Sequence, residues 1–258
     1  MQVFRGALLR VTSSTGTIIV PNAGFNAIGN GYIPKLFSIN GVHGLTLVLG
    51  AVAIVLYIWA EFNNRNNKLK YGFEVLSSVM FTVKLLFVSL VIGYITWILA
   101  GYNGFSWTVV VVIIVVLVYN FITNKTVLGR HIYAIGGNPD AAKLSGINVN
   151  RVSMIVFSSM STLAALSGIL YTARLQSATT TAGLAFELDA IAAAYVGGAS
   201  AAGGVGKVTG SIIGAFVMAS LTNGMNLMGV DISYQYIIRG AVLVAAVIFD
   251  VKTRNKKA

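Results

Sequence analysis

The sequence predicts an all-α protein that crosses a lipid bilayer several times. Of its 258 residues, 56% are hydrophobic and 10% are charged, and the mean hydropathy is +0.81. Soluble domains carry about 25% charged residues, so a chain this apolar cannot cover itself with polar surface in water. The apolar residues also form long runs, in which a helix satisfies its own backbone hydrogen bonds inside lipid.

Seven segments predict membrane crossings, because a spanning helix needs about 20 mostly apolar residues. Six of them are strongly apolar: 45–60, 75–100, 106–122, 152–172, 208–227 and 234–251. The seventh, 187–202, is short and consists almost wholly of small residues. We therefore expect about seven crossings within one transmembrane domain, residues 1–258.

The positive charges predict the orientation of these crossings. The chain has 18 Lys and Arg against 7 Asp and Glu, and most of the basic residues lie beside apolar segments rather than in a patch suited to nucleic acid. The basic regions are 61–74, 123–151, Lys207 and the tail 252–258. The positive-inside rule predicts that these regions, and with them the C-terminus, are cytoplasmic.

Residues 1–42 are predicted to be irregular and extracytoplasmic. They are polar and rich in glycine, with Pro21 and Pro34 as helix breakers. An external start requires an earlier crossing or a signal peptide, and residues 1–10 lack an apolar signal core. We therefore expect that the chain lacks an N-terminal portion or begins at an internal Met.

A polar island, GRHIYAIGGNPDAAKLSGINVNRV at 129–152, interrupts the apolar runs. It predicts a sharp bend at Gly136 and Gly137, followed by a helix of about two turns. Asn138 suits the N-cap and Pro139 the first helical position, while Gly146 can adopt the left-handed conformation that ends a helix. Taken alone, this helix is equally well explained as an ordinary capped loop helix.

The pattern Asp140-Ala141-Ala142-x-x-x-Gly146 resembles the EAA-type coupling loop of ABC importer permeases, with Asp in place of Glu. The whole island, the segment 187–216 and NGMNLMGV at 223–230 resemble the permeases of bacterial monosaccharide importers. This branch carries ribose, xylose, arabinose and galactose, and the similarity is strongest to the xylose or multiple-sugar type.

The resemblance implies a transport subunit of the bacterial inner membrane that is not itself an enzyme. It implies about ten crossings in the full family pattern, a second permease copy, a cytoplasmic ATP-binding subunit and an extracytoplasmic sugar-binding protein. ATP and Mg²⁺ would bind to the ATPase, and this chain would bind no cofactor. Within the cytoplasmic loop 123–151, the residues implied to couple to the ATPase are Gly136, Gly137, Asn138, Pro139, Asp140, Ala141, Ala142 and Gly146.

The glycines at 203–214 do not form a nucleotide site. A P-loop needs glycine at Ala201 and a hydroxyl side chain at Val208, so ATP must be hydrolysed by another chain. The spacing of Gly206, Gly210 and Gly214 instead predicts a helix face that lets a second helix approach closely.

Ionisable residues inside spans are by default functional. We expect Arg239 to pair with Glu187 or Asp189 near the outer surface; the alternative is that Arg239 reaches outward to water and both acids are solvated. The polar residues that could line a sugar pathway are Gln176, Thr179, Asn223 and Asn226. Alternatively, they cap helices and form hydrogen bonds between spans.

No catalytic constellation or metal-ligand cluster is evident. His43 and His131 are expected to be loop residues without partners, and cysteine is absent. Three alternatives stay open: a related permease for branched-chain amino acids or nucleosides, an ion-coupled secondary transporter, and an inactive permease fragment. Acids near the bilayer midplane, which such secondary carriers usually have, are missing from 75–100 and 106–122.

Overall fold

A computed structural model describes residues 2–12, 16–35, 37–39 and 42–255, which are mainly helical. The helices are α1 Gln2–Val11, α2 Ala23–Asn30, α3 Gly44–Lys70, α4 Ser78–Tyr102, α5 Trp107–Lys125, α6 Val127–Gly137, α7 Pro139–Leu144, α8 Val149–Leu175, α9 Phe186–Val196, α10 Val208–Leu227 and α11 Ile232–Asn255. The strands are β1 Thr17–Ile19, β2 Ser38–Ile39, β3 Val42–His43 and β4 Ser177–Thr179.

Six of the described helices are long and apolar enough to cross a membrane: α3, α4, α5, α8, α10 and α11. Their large apolar side chains are widely exposed; Val79 of α4 and Phe249 of α11, for example, are 75% and 74% exposed. Such surfaces are stable in lipid and not in water. The predicted all-α, multi-pass architecture is therefore confirmed.

The weak seventh segment differs from the others. Its helix, α9, has 11 residues and a length of about 16 Å, roughly half of the 30 Å hydrocarbon layer. The helix ends at Val196, because Gly197 caps it and Gly198 follows with φ +87°. The predicted single helix over 187–202 is thus wrong, and a short helix followed by non-helical backbone replaces it.

The prediction that residues 1–42 are irregular is also wrong in part. The described residues of this segment include α1 and α2, and the Asn22 side chain caps α2 by accepting the Phe25 N–H. Strand β1 pairs antiparallel with β4, with Thr17 opposite Thr179. Local capping and this pairing supply backbone hydrogen bonds that the composition alone does not reveal.

The structure comprises two compact units, Pro21–Val110 and the combination of Met1–Val20 with Val111–Ala258. In the first, α3 and α4 pack closely where a Cβ on Gly50 would lie 2.5 Å from Thr96 Oγ1. Lys84 of α4 forms an ion pair with Glu61 of α3 at 2.8 Å.

His43 is not the partnerless loop residue that we expected. It is 2% exposed, and its Nε2 lies 3.0 Å from the Ile33 carbonyl oxygen. Its Nδ1 accepts the Thr46 N–H at 3.3 Å, which makes His43 the N-cap of α3. An imidazole can replace the usual Ser, Thr, Asp or Asn cap because it also has an acceptor nitrogen.

The second unit contains the polar island, α8 to α11 and the described part of the tail. Helix α11 continues to Asn255, so the first four residues of the predicted tail 252–258 are helical. Lys256 and Lys257 lie outside the described residues. The Asp231 carboxylate precedes α11 and accepts the Ser233 N–H at 2.8 Å, which lowers the pKa of Asp231.

Candidate functional site

The polar island folds into two consecutive helices, α6 and α7. The predicted bend at Gly136 and Gly137 is wrong, since both residues belong to α6 and neither has positive φ. Thr126 begins α6 by accepting the Gly129 N–H at 3.2 Å. Asn138 then serves both helices, because its N–H donates to Ala134 and its side chain accepts the Ala141 N–H at 3.0 Å.

Helix α7 has the predicted start and stop. Pro139 occupies its first turn, Asp140 lies near its positive end and Lys143 near its negative end. Gly146 adopts φ +82° after the helix. Its N–H donates to Lys143 O at 3.0 Å and the next N–H, of Ile147, donates to Ala142 O at 3.1 Å, the Schellman arrangement that closes a helix.

Most of α7 faces away from the protein. Ala142 is 4% exposed and anchors the helix, whereas Leu144 is 90% exposed. An open groove of about 580 Å³ runs beside the helix and is lined by Pro139, Asp140, Lys143 and residues 146–150. The exposed face of α7 and the groove beside it leave Asp140, Lys143 and Leu144 accessible from outside the chain.

Residues 199–207, which join α9 to α10 and which we call the glycine loop, pack directly on α6. A Cβ on Gly136 would lie 2.6 Å from the Gly204 nitrogen, and a Cβ on Gly204 would lie 2.9 Å from the Gly137 Cα. The Tyr133 hydroxyl donates to the Gly206 carbonyl at 2.9 Å. Sequence reasoning missed this contact, because spacing within one segment does not reveal a partner 70 residues away.

Asp250 of α11 holds the other side of the glycine loop, and it too was missed. Its Oδ2 accepts the Ser200 hydroxyl at 2.9 Å and the Ala201 N–H at 3.1 Å. The signal available in the sequence is an acid near the end of an apolar span, where an unpaired carboxylate is costly.

Two of the three predicted packing glycines lie at a close helix contact. Gly210 and Gly214 of α10 face α9, and a Cβ on Gly214 would lie 2.8 Å from the Gly197 nitrogen and still closer to the Ala193 oxygen. Ala192, Ala193 and Met218 form a small buried cluster beside this contact. Gly206 precedes α10 and lies in the glycine loop, so its predicted place on the helix face is wrong.

A polar network links α9, α10 and α11 through four side chains. Arg239 Nη1 donates to Asp189 Oδ2 at 3.0 Å, and Arg239 Nη2 donates to Gln235 Oε1 at 3.4 Å. Gln235, which is 7% exposed, donates from Nε2 to Asn226 Oδ1 at 2.9 Å. The ion pair therefore uses Asp189, whereas Glu187 is exposed and makes no ion pair within the described residues.

A cavity of about 120 Å³ lies beside this network and is lined by Asp189, Arg239, Tyr236 and apolar residues of α9 and α11. Arg239 Nε is buried and has no hydrogen-bond partner among the described atoms. The guanidinium carbon lies 5.9 Å from the centre of the Tyr236 ring.

The candidate pathway residues do not form one cluster of contacts. Gln176 ends α8 with φ +55°, and its carbonyl accepts the Val20 N–H at 2.9 Å. Thr179 lies in β4, Asn223 is exposed on α10, and Asn226 belongs to the polar network. Gln176 thus follows α8 as its cap, Thr179 pairs with Thr17 between strands, and Asn226 bonds to another helix, while a role of these residues in a sugar pathway stays a prediction. No group of three or more potential metal ligands occurs among the described residues.

Comparison with known proteins identifies the family. Residues 17–247 match the family described as "Branched-chain amino acid transport system / permease component". The xylose transport system permease protein XylH of Haemophilus influenzae is 42% identical over 98% of this chain, and that of Escherichia coli K12 is 36% identical over 99%. The ribose import permease protein RbsC of E. coli K12 is 50% identical over 56% of this chain.

The chain spans 65% and 63% of the lengths of these two xylose permeases and 44% of the ribose permease. No solved structure matches it. The six apolar helices and the bacterial permease relatives indicate a multi-pass protein of the inner membrane. The chain belongs to the family of branched-chain amino acid transport system permease components, within which its similarity is to sugar permeases.

Proposed function

We propose that this chain is the membrane-spanning subunit of an ABC importer that carries a monosaccharide into the cell. The single observation that carries the proposal is α7, a capped, six-residue helix that exposes Leu144 beside an open groove. Intramolecular packing explains one buried residue of this helix, Ala142, and leaves its remaining surface for a partner.

In this proposal α7 docks in a cleft of a cytoplasmic ATP-binding subunit. The coupling residues Gly136 to Ala142 and Gly146 then have distinct tasks. Asn138 and Gly146 fix the two ends of α7, Gly136 seats α6 on the glycine loop, and Asp140, Ala141 and Leu144 face the partner. The ATPase binds ATP and Mg²⁺, and its closure moves α7.

A cytoplasmic position for α7 is supported by the basic residues around it and by the course of the chain. Helix α8 leads away from α7 for 27 residues, about 40 Å. Near its end, Tyr171 meets Phe186 at the start of α9, and the glycine loop beyond α9 contacts α6. The chain thus returns through α9 and non-helical backbone, which supports a seventh passage and a cytoplasmic C-terminus. Non-helical backbone is tolerated at membrane depth where protein surrounds it.

The nature of the cargo is supported by the relatives and by the charges. The permeases named for xylose and ribose are the relatives reported above, although the family description names branched-chain amino acids. An amino acid would need ionic partners along its path. The described ion pairs, Asp189–Arg239 and Glu61–Lys84, are already internally neutralised, which favours a neutral sugar of the xylose type.

The complete transporter would contain a second permease copy, the ATP-binding subunit and an extracytoplasmic sugar-binding protein. Uptake of radiolabelled xylose, ribose and leucine by cells in which this is the sole system tests the cargo. Sugar uptake that stops on ATP depletion and survives a protonophore supports the importer. Leucine uptake supports the amino-acid alternative, and protonophore-sensitive sugar uptake supports a secondary transporter.

Leu144→Gln is expected to weaken association with the ATP-binding subunit by about tenfold or more, because full burial of a leucine side chain contributes about 1.5–3 kcal/mol. Leu144 is 90% exposed, so the substitution removes little packing against the described residues of this chain. Copurification of the ATPase with the tagged permease measures the effect.

Leu227→Gln is the matched control, because Leu227 is also highly exposed, at 82%, and is the last residue of the spanning helix α10, at the end away from the glycine loop. It should leave ATPase copurification unchanged. Normal copurification and normal sugar uptake with Leu144→Gln would show that α7 is not the docking helix.

A further inference from the structure

We infer that the glycine loop, residues 199–207, transmits movement of α7 to the short helix α9, and that Tyr133 is the positioning residue that ties this loop to α6. The inference rests on the proposed function, since an ATPase must move α7. It goes further by naming the element that is moved and the contacts that move it.

The contact between α6 and the glycine loop is rigid. Gly136 and Gly204 meet through backbone atoms, and a Cβ on Gly136 would lie 2.6 Å from the Gly204 nitrogen. On both sides the nearest described atoms belong to the backbone, so a side-chain rotamer change cannot absorb a displacement at this contact. Because Asn138 caps both the end of α6 and the start of α7, a shift of α7 displaces the end of α6 and pushes on the loop.

Transmission also requires that the glycine loop follows when α6 moves away from it. A steric contact transmits a push but not a pull. The hydrogen bond from the Tyr133 hydroxyl to the Gly206 carbonyl, at 2.9 Å, resists separation of α6 from the loop. When α6 moves away from the glycine loop, Tyr133 therefore pulls the loop with it, which the glycine contact alone cannot do.

Movement of the glycine loop reaches α9 through the backbone that joins them. Gly197 and Gly198 join the end of α9 to the loop, and the cap residue Gly197 contacts the Gly210 backbone of α10. Asp250 holds Ser200 and Ala201, so the loop has one fixed point on α11. With that point fixed, displacement at Gly204 and Gly206 turns the loop and tilts α9.

The first turn of α9, at the end away from the glycine loop, is held in a defined position. Asp189, in its first turn, is bound to Arg239 of α11 and borders the 120 Å³ cavity. A tilt of α9 changes the exposure of this first turn. An 11-residue helix with non-helical backbone at one end can tilt with less rearrangement than a full-length span.

The absence of cysteine makes this movement measurable, because one introduced cysteine is the sole thiol of the chain. Leu188→Cys places it in the first turn of α9, where Leu188 is 50% exposed. The assembled transporter, with its ATPase, is reconstituted in liposomes and labelled with a maleimide, with and without a non-hydrolysable ATP analogue. We expect the analogue to change the labelling rate.

Two variants then interrupt the transmission. Tyr133→Phe removes one hydroxyl, and Gly136→Ala introduces a methyl group against the Gly204 backbone. In both, the ATP-dependent change in labelling should shrink and sugar transported per ATP hydrolysed should fall. For Tyr133→Phe we expect a fall of about two- to tenfold, the scale of one lost hydrogen bond. A purely structural role would lower the amount of assembled transporter and leave this ratio unchanged.

Matched controls exist for both variants. Tyr94→Phe removes the hydroxyl of a 69% exposed tyrosine on α4, and Gly168→Ala adds a methyl group in α8 where no atom of the described residues lies within 4 Å. Both should retain the parental response.

The outcomes separate this inference from the proposed function. If the labelling response persists in Tyr133→Phe and Gly136→Ala, the glycine loop transmits nothing, although α7 can still bind the ATPase. If ATP leaves the parent's labelling unchanged while the ATPase copurifies, α9 is not the moved element. If the ATPase does not copurify with the parent, the proposed function fails and this inference fails with it.

Discussion

Gly214→Leu is expected to force α9 away from α10 and to abolish accumulation of folded protein in the membrane. Gly214 is buried, and a Cβ there would overlap the Ala193 oxygen and lie 2.8 Å from the Gly197 nitrogen. These are backbone atoms, so no side chain can move aside. Overpacking of a closely packed contact costs about 1–3 kcal/mol, and a rigid backbone neighbour places this case at or above the upper end.

The measurement is the amount of monodisperse protein after detergent extraction, together with its thermal unfolding midpoint. Gly224→Leu is the control, because Gly224 lies in the same helix and a Cβ there meets nothing within 4 Å. Both substitutions carry the same change in helix propensity and in hydrophobicity, so their difference isolates the contact. Equal yields and midpoints for the two variants would show that α9 and α10 do not pack through Gly214.

The long spans were predictable because lipid restricts the backbone so strongly. A run such as VVVVIIVVLV at 109–118 could be a strand in water, but a strand in lipid leaves backbone groups unpaired. It forms part of α5. The ends of α7 were equally predictable, since Asn138, Pro139 and Gly146 act on neighbouring backbone groups only.

The errors occur where distant contacts override local preferences. Gly136 and Gly137 predict a bend because glycine is common in turns, yet both lie in the last turn of α6. Gly136 has no Cβ, which lets the backbone of the glycine loop pack against this helix. Gly206 has the four-residue spacing of a helix face but precedes the helix. Spacing has that meaning only within a helix, and the start of α10 at Val208 could not be located from spacing.

In the candidate site, too, local requirements were predictable from the sequence and distant contacts were not. An intramembrane charge demands a partner, so the sequence predicts a pair for Arg239 and offers Glu187 and Asp189 as candidates. The choice of Asp189 depends on the rotation of α9 about its axis, which its packing on α10 and α11 determines. Gln235 and Asp250 escaped notice because their partners lie on other elements, Asn226 near the end of α10 and Ser200 and Ala201 in the glycine loop, 9 and about 50 residues away.

Arg239→Met is expected to destabilise the protein by about 1.5–3 kcal/mol, the loss of a hydrogen bond to a charged group, because it leaves the partly buried Asp189 carboxylate without its partner. The side chains of Arg239 and Asp189 are 19% and 28% exposed. The substitution also removes the donor to Gln235 Oε1. The thermal midpoint in detergent and the amount of folded protein in the membrane measure the loss.

The double variant Asp189→Asn with Arg239→Met is the decisive comparison. Replacing both members of this partly buried ion pair leaves no unpaired charge, and such double replacements are often neutral even in buried pairs. The double variant should therefore recover most of the stability that Arg239→Met loses, giving a coupling free energy of opposite sign to the single losses. If Arg239 instead reached outward to water, both single variants would be tolerated and their effects would add. Additive effects would thus establish that the Asp189–Arg239 contact contributes nothing to holding α9 against α11.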